Sequence, residues 1–288
     1  MTVKIDKRKA RRSFDQASGS YDQVAQLQVE MGDRMLDRLN YIRVEPKTIL
    51  DMGSGTGVLA DRLSREYRKS KVIAADFAHS MLQQTRKRGS MLRKLRCVCA
   101  DAELLPLADD SVDLVVSNAM LQWCNKPDVV FQEWMRILKP GGLLMFTTFG
   151  PETLRELRQA WAEIDRLPHV NQFTDMHEIG DSLMGGGWEG AVMDIDRFDL
   201  NYKDVHGLLR DIKGLGAGNA DTGRHKGLTG KSRMQAMYDA YEQFRREGNL
   251  PAHYEVINGH AWAPSQKQVG KATAIPLNTL NLGNAHGR

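Results

Sequence analysis

The stretch that decides the fold is two apolar residues, an acid and three spaced glycines: Ile49-Leu50-Asp51-Met52-Gly53-Ser54-Gly55-Thr56-Gly57. Apolar residues at Val58, Leu59 and Leu63 then follow a helical period, so the pattern predicts a strand, a tight turn and a helix. Glycine at alternate positions allows a sharp turn and the close approach of a ligand. The start of the helix presents free N–H groups and a positive dipole end to an anionic group. The turn therefore indicates a ligand-binding loop.

Bulk composition sets limits on the rest of the chain. Its 288 residues suit one large domain, or one domain with an insertion. No apolar run approaches the ~20 residues of a membrane helix, and residues 1–12 are charged, so we expect no membrane span, no secretory signal and a cytoplasmic protein. Three cysteines lack the spacing of a zinc site, so we expect reduced thiols and no metal: Cys97, Cys99 and Cys124.

Short apolar runs alternate with helical patterns through the first half of the chain. The predicted strands are 48–52, 71–75, 96–100, 112–117 and 143–148, and the predicted helices lie near 57–68, 79–93 and 126–138. This alternation predicts an α/β fold, a doubly wound and mostly parallel sheet covered on both faces. Ligands in such sheets bind outside the carboxyl ends of the strands.

Acidic residues stand at these strand ends. Asp76 ends the second predicted strand, 25 residues after Asp51, where a carboxylate can accept hydrogen bonds from both hydroxyls of a ribose. Asp101 follows the third strand, where it can accept from the amino group of an adenine. The strand ends therefore predict a nucleoside-binding site.

The segments that flank this core are less regular. Residues 1–22 are polar and basic except for Phe14 and Tyr21, and we interpret them as a solvated arm, with a docking surface or flap as the alternative. The second half predicts two further strands, near 191–195 and 254–262, and helices near 151–166, 175–184, 204–213 and 232–246. We expect seven strands, a single domain over 23–263 and a helical insertion over about 203–250. The glycine-rich loop 214–230 is a connector or a lid, and 264–288 is an expected disordered tail.

The glycine turn, Asp76, Asp101-Ala102 and the Leu121-Gln122-Trp123 segment together resemble the class I methyltransferases, which bind S-adenosylmethionine. In that class the glycine loop lies against the methionine part, and the acid before it helps to hold the amino end. A nicotinamide-dependent enzyme is the alternative, but the third glycine comes one residue too early for the dinucleotide pattern. The resemblance implies a cofactor site formed by Tyr21, Asp51, Gly53, Ser54, Gly55, Gly57, Asp76, Phe77, Met81, Asp101, Ala102, Asn118, Leu121 and Gln122.

Less generic segments narrow the resemblance to one family. These are Phe14…Tyr21-Asp22 and the segments 117–123, 146–151, 211–217 and 259–262. They resemble BioC, the malonyl-carrier-protein O-methyltransferases of biotin synthesis, over about residues 10–263. The resemblance implies that S-adenosylmethionine gives its methyl group to the free carboxyl of a malonyl thioester on acyl carrier protein, leaving S-adenosylhomocysteine. Two alternatives stay open: a similar complex I assembly factor described as a protein-arginine hydroxylase, and a quinone-type small-molecule methyltransferase.

A malonyl acceptor changes what the site must supply. Its carboxyl group titrates near a reference value of ~4, so it is ionised at neutral pH and we expect no general base. A cation that orients the carboxylate is expected instead, and the candidates are Arg224, Lys213 and Arg210. Acyl carrier proteins are acidic, so basic clusters such as Arg86-Lys87-Arg88 predict a docking surface. We find no nucleic-acid recognition module.

Overall fold

The computed structural model describes residues 4–90, 93–225, 227 and 229–266. Within these residues seven strands form one sheet: β1 (Thr48–Met52), β2 (Lys71–Asp76), β3 (Arg96–Cys99), β4 (Val112–Ser117), β5 (Leu138–Phe149), β6 (Glu189–Tyr202) and β7 (Leu250–Trp262). The strands lie in the order β3-β2-β1-β4-β5-β7-β6. Strands β1 to β5 pair in parallel, whereas β7 runs antiparallel between β5 and β6. The predicted mostly parallel, seven-stranded sheet is therefore confirmed.

Helices cover both faces of this sheet. They are α1 (Lys7–Ala17), α2 (Tyr21–Val24), α3 (Gln26–Leu39), α4 (Val58–Glu66), α5 (His79–Arg88), α6 (Pro127–Ile137), α7 (Arg155–Ala162), α8 (Met176–Gly185), α9 (Val205–Gly214) and α10 (Lys231–Glu242). Side chains of a strand alternate between faces, so neighbouring residues of β1 enter different cores. Ile49 packs with Leu39 of α3 and Leu63 of α4. Leu50 packs with Trp134 of α6, which is fully buried. The doubly wound arrangement follows from this alternation.

Strand lengths differ from the predictions mainly at the antiparallel edge. The bounds 48–52 and 112–117 are confirmed, but β6 runs over Glu189–Tyr202 rather than 191–195. Its register with β7 extends from Glu189 opposite Trp262 to Tyr202 opposite Leu250. An edge strand needs no continuous apolar run, because one of its sides has no neighbouring strand and its faces are largely exposed. The prediction therefore found only the apolar part of this strand.

The N-terminal segment is not a solvated arm, so that interpretation is wrong for residues 7–17. They form α1, whose first turn is capped because the Asp6 carboxylate accepts a hydrogen bond from the Lys9 amide at 3.0 Å. Ala10 and Ala17 are buried on its inner side. The ring of Phe14 meets that of Trp123 edge to face, with centroids 5.1 Å apart. Packing of a few small and aromatic residues is enough to hold this basic helix in place. The helix covers the carboxyl ends of the strands.

The predicted helical insertion corresponds to α9 and α10, which lie between β6 and β7. The loop after α9 pairs with the N-terminal segment, since the Asp6 amide donates to the Ala220 carbonyl at 2.8 Å and the Thr222 amide donates to the Lys4 carbonyl at 2.9 Å. Residues 226 and 228 of this loop, and the predicted tail from residue 267 onward, lie outside the described residues. Among the described helices, none is long and apolar enough to cross a membrane.

Candidate active site

The glycine turn connects β1 to α4 and is held by its neighbours. The amides of Gly53 and Ser54 donate to the Ala75 carbonyl at 2.8 and 3.0 Å, which ties the turn to the end of β2. Gly57 caps α4 with φ = 84°, and a Cβ at this position would lie 2.6 Å from Cγ2 of Thr85. Only glycine combines this left-handed backbone with so close a neighbour. Because its glycines carry no side chains, the turn exposes its backbone on the side where the strands end.

Two buried carboxylates lie beside this turn. Asp51 is 1% exposed, and its Oδ2 has no hydrogen-bond partner among the described residues. Asp76 accepts hydrogen bonds from the amides of Gly55 at 2.9 Å and Ala78 at 2.8 Å. Burial raises the pKa of Asp51 to about 7, with a further contribution from the charge of Asp76. Burial also raises the pKa of Asp76 to about 6, against the lowering effect of the backbone N–H groups. An ammonium group of a ligand would satisfy the unpaired oxygen of Asp51.

Two adjoining cavities open next to these acids. The first, which we call the Asp76 cavity, spans about 600 Å³ including space open to solvent, and has these predicted cofactor residues in its wall: Tyr21, Gly53, Gly55, Asp76, Phe77, Met81, Asp101, Ala102 and Asn118. The second, the Asp51 cavity, spans about 510 Å³ on the same measure, and its wall includes Asp51 and Ser54 together with four residues of the first. The shared residues are Tyr21, Gly53, Gly55 and Asn118. Most of the predicted cofactor residues therefore lie around one continuous space.

Three predicted cofactor residues lie elsewhere. Gly57 stands behind the turn as the cap of α4. Leu121 is buried in the main hydrophobic core, because the short 3-10 helix 121–123 turns it inward. Gln122 faces a third cleft, where its amide donates to the Ala119 carbonyl at 2.7 Å and accepts from the hydroxyl of Thr148 at 3.1 Å. The 3-10 helix sends successive side chains of this segment in different directions, so neither Leu121 nor Gln122 lines the Asp76 cavity or the Asp51 cavity.

Sequence reasoning missed several wall residues of the Asp76 cavity. Lys7 is the least expected of them, since its ammonium group pairs with Asp101 at 2.7 Å and with Glu103 at 2.8 Å. No local pattern could reveal this contact, which joins residues 94 positions apart. Phe14 and Trp123 also line the cavity. For Phe14 a signal existed, because it is an aromatic residue in a polar stretch.

The third space, which we call the aromatic cleft, adjoins both cavities and spans about 580 Å³ including space open to solvent. It is lined by Phe14, Tyr21, Gln28, Ala119, Gln122, Trp123, Phe149, Thr153, Leu154, Asn171, Phe173, Ile212, Leu215, Ala217 and Tyr254. Aromatic and aliphatic side chains dominate this wall, and amides and hydroxyls supply its polar groups. Among the described residues, no arginine or lysine lines it. The cleft therefore suits a mainly apolar chain that carries a small polar end.

The predicted carboxylate-binding cations lie outside this wall. The guanidinium group of Arg224 donates to the Asp221 carbonyl at 2.8 Å and to the Asp6 carboxylate at 3.4 Å, so it connects the loop after α9 to the start of α1. Arg210 and Lys213 are exposed on α9. This placement argues against the prediction that one of the three holds an acceptor carboxylate.

Comparison with known proteins agrees with the geometry. The family profile described as a methyltransferase domain matches residues 50–146. A malonyl-[acyl-carrier protein] O-methyltransferase of Methylovorus sp. (strain MP688) is 49% identical over 269 residues, 91% of each chain. One of Gallionella capsiferriformans (strain ES-2) is 47% identical over 94% of this chain and 96% of that protein. The chain belongs to the malonyl-[acyl-carrier protein] O-methyltransferase family. The predicted BioC resemblance is confirmed.

The fold of this BioC family member also occurs in solved structures. The YcgJ protein from Bacillus subtilis superposes with a TM-score of 0.57 at 14% identity, and the match covers 81% of this chain and all of that protein. The chain is a methyltransferase that uses S-adenosylmethionine and forms S-adenosylhomocysteine. The site's residues fit that donor, because the unpaired Oδ2 of Asp51 and the unpaired hydroxyl of Ser54 both belong to side chains that line the Asp51 cavity.

Proposed function

We propose that this chain transfers a methyl group from S-adenosylmethionine to the free carboxyl of a malonyl thioester on acyl carrier protein. The product methyl ester serves an early, cytoplasmic step of pimelate and biotin synthesis. The observation that carries the proposal is the 49% identity to a protein of this named activity over nine-tenths of both chains.

The two cavities divide the donor between them. Asp51 and Ser54, whose buried polar atoms lack partners among the described residues, would hold the amino end of the methionine part. Asp76 at the end of β2 would accept hydrogen bonds from the ribose hydroxyls, and Phe77 and Ala102 in the wall of the Asp76 cavity would contact the adenine. Tyr21 then closes the space from α2, since it lines both cavities.

Methyl transfer to a carboxylate requires the donor and the acceptor to be aligned, and it requires no proton transfer. The malonyl carboxyl is already ionised at neutral pH, so no residue has to remove a proton from it. Bound S-adenosylmethionine supplies a methyl group on a sulfonium, and the carbon–sulfur bond breaks with its electron pair left on sulfur as the acceptor oxygen forms the new bond. Aromatic walls such as those of Trp123 and Phe149 exclude water from the cleft. Their rigidity holds acceptor and donor in line, which lowers the entropic part of the barrier.

Carrier-protein docking rests on charge. The last turn of α5 carries Arg86 and Lys87, and both side chains are exposed. Arg88 beside them is engaged with the Asp22 carboxylate and the Thr56 carbonyl. The two exposed cations of this cluster suit an acidic carrier, so we expect an association rate that falls with salt.

The decisive experiment is incubation of the full-length protein with S-adenosylmethionine and malonyl-acyl carrier protein, followed by mass measurement of the carrier. We expect the mass of the malonyl-carrier protein to increase by one methyl group. Acetyl-acyl carrier protein, which lacks the free carboxyl, is the matched control and stays unmodified. Methyl transfer to neither carrier would contradict the proposal.

A further inference from the structure

Gln28 of α3 lies where the donor and acceptor spaces meet. Among the described residues, only Gln28 and Tyr21 line both the Asp51 cavity and the aromatic cleft. The Asp51 cavity is where the proposed function places the methionine part of the donor. A side chain on the boundary between that cavity and the cleft is within reach of the acceptor atom that receives the methyl group.

The backbone of Gln28 is fixed while the end of its side chain is not engaged. Its carbonyl accepts a hydrogen bond from Nδ2 of Asn118 at 2.8 Å, and Asn118 in turn accepts from the hydroxyl of Thr147 at 2.7 Å. These bonds connect α3 to the ends of β4 and β5. The side-chain Oε1 of Gln28 is buried without a partner in the described chain. An amide whose buried oxygen has no partner has unused hydrogen-bonding capacity, and rotation of the amide presents either its oxygen or its two N–H donors.

Two other polar side chains of the aromatic cleft, those of Gln122 and Thr153, already make hydrogen bonds within the protein. Gln122 is bonded on both sides, to Ala119 and Thr148. The hydroxyl of Thr153 donates to the Glu255 carbonyl at 3.0 Å and accepts from the amide of the same residue at 3.1 Å. Gln28 thus differs from both in having a buried polar atom that no protein group satisfies.

The negative charge of the acceptor carboxylate explains why a neutral side chain is suited to bind it at this boundary. An arginine paired with the acceptor would withdraw negative charge from the oxygen that has to attack, whereas N–H and O–H donors orient it and leave more of the charge in place. Tyr21 supplies the second donor, because burial first and the neighbouring Asp76 second raise the pKa of its hydroxyl and keep it protonated. A neutral site also releases the uncharged ester product readily.

We propose that Gln28, with Tyr21 beside it, binds the free carboxylate of the acceptor and thereby selects malonyl over acetyl thioesters. The inference rests on the proposed function and replaces the cations predicted from sequence. It assigns the selectivity to a single amide at the boundary between the donor and acceptor spaces.

The test compares full-length Gln28→Leu and Gln28→Glu with the unchanged protein. Affinities for malonyl- and acetyl-acyl carrier protein are measured by calorimetry with saturating S-adenosylhomocysteine, so the readout is binding and not turnover. Loss of a hydrogen bond to a charged group should lower the malonyl-to-acetyl affinity ratio about tenfold or more in Gln28→Leu. Gln28→Glu keeps the size but opposes the carboxylate with a like charge, so its ratio should fall at least as far.

Matched controls separate this role from general damage. Lys213→Ala and Arg224→Ala should keep the ratio of the unchanged protein, and acetyl-carrier affinity should be the same in all variants. Affinity for S-adenosylhomocysteine is measured alongside, because Gln28 also lines the Asp51 cavity. An unchanged ratio in both Gln28 variants, or a ratio lost in either cation variant, overturns the inference while leaving the proposed function intact. If the unchanged protein binds the two carriers equally, the inference is overturned too, whereas the proposed function is decided separately by the mass measurement of methyl transfer.

Discussion

The ammonium group of Lys7 on α1 lies 2.7 Å from the Asp101 carboxylate that follows β3. A second carboxylate, that of Glu103, lies 2.8 Å from the same nitrogen. Burial opposes the charge of Lys7, but the hydrogen bonds to these two acids leave its pKa raised. The pair connects the first helix to a strand end that lines the Asp76 cavity. We therefore expect access to this cavity to depend on whether α1 stays packed over it.

Replacing Lys7 should therefore loosen the helix over the cofactor. We expect Lys7→Met to weaken S-adenosylhomocysteine binding by less than about fivefold, since partly exposed ion pairs contribute roughly 1 kcal/mol or less. Proteolysis within residues 7–17 should become faster. The control is Arg8→Met, which removes an exposed cation from the same helix. Equal affinities and equal proteolysis rates for the two variants would show that the ion pairs of Lys7 do not hold the helix in place.

Asp76→Ala should weaken binding of both S-adenosylmethionine and S-adenosylhomocysteine at least about tenfold. The change removes charge-assisted hydrogen bonds worth about 1.5–3 kcal/mol each. It also leaves the Gly55 amide, which the Asp76 carboxylate accepts from in the structure, without that partner. Calorimetry on both ligands measures the effect, and circular dichroism checks that the sheet is intact. Unchanged affinity in a folded Asp76→Ala protein would remove this residue from the site.

The stability of the ligand-free protein should fall as pH rises from about 4 to about 7. Burial raises the folded-state pKa of Asp51 to about 7, whereas the unfolded chain titrates near ~3.9. In that window the folded protein binds more protons, so its free energy of unfolding decreases with pH, by about 1.4 kcal/mol per unit at most for one group. Asp76 adds to the same trend up to about pH 6. Urea unfolding at several pH values measures the slope.

Donor binding should show the opposite dependence. The ligand's ammonium group favours the ionised form of Asp51, so binding below about pH 7 releases a proton and affinity increases with pH up to that value. Calorimetry in buffers of different ionisation enthalpy counts the proton. Asp51→Asn should flatten both the stability slope and the affinity slope. A variant that retains both slopes would assign them to another group.

Gly57→Ala should destabilise the protein more than Gly141→Ala does. The first replacement should cause both backbone strain and a steric clash, the second backbone strain alone. Both Gly57 and Gly141 have left-handed backbones, with φ of 84° and 73°, which costs an alanine about 1–2 kcal/mol. A Cβ on Gly57 would also collide with Thr85, while one on Gly141 meets nothing within 4 Å. Urea unfolding should therefore give a clearly larger loss for Gly57→Ala than for Gly141→Ala. Equal losses would mean that α5 moves aside without cost.

Local patterns in the sequence were enough to predict the sheet and the donor side of the site. The run of apolar residues, glycines and a helical period around residue 53 specifies strand, turn and helix from neighbours alone, and β1 begins and ends where predicted. Asp76 was predictable because a residue at the end of a parallel strand lies at the ligand edge whatever the rest of the chain does. The edge strand β6 was found only in part, because exposure on its faces removes the apolar signal.

The aromatic cleft, which is the proposed acceptor side, depended on packing between distant segments. The aromatic cleft combines Phe14 with Tyr254, and the loop around Arg224 pairs with Asp6, 218 residues away. Propensity and spacing describe neighbours along the chain, so they cannot say which side chain meets which once helices pack across the strand ends. For this reason cations that looked free in the sequence are engaged or exposed in the structure. The unpaired amide of Gln28 became visible only when α3 was placed against the donor cavity.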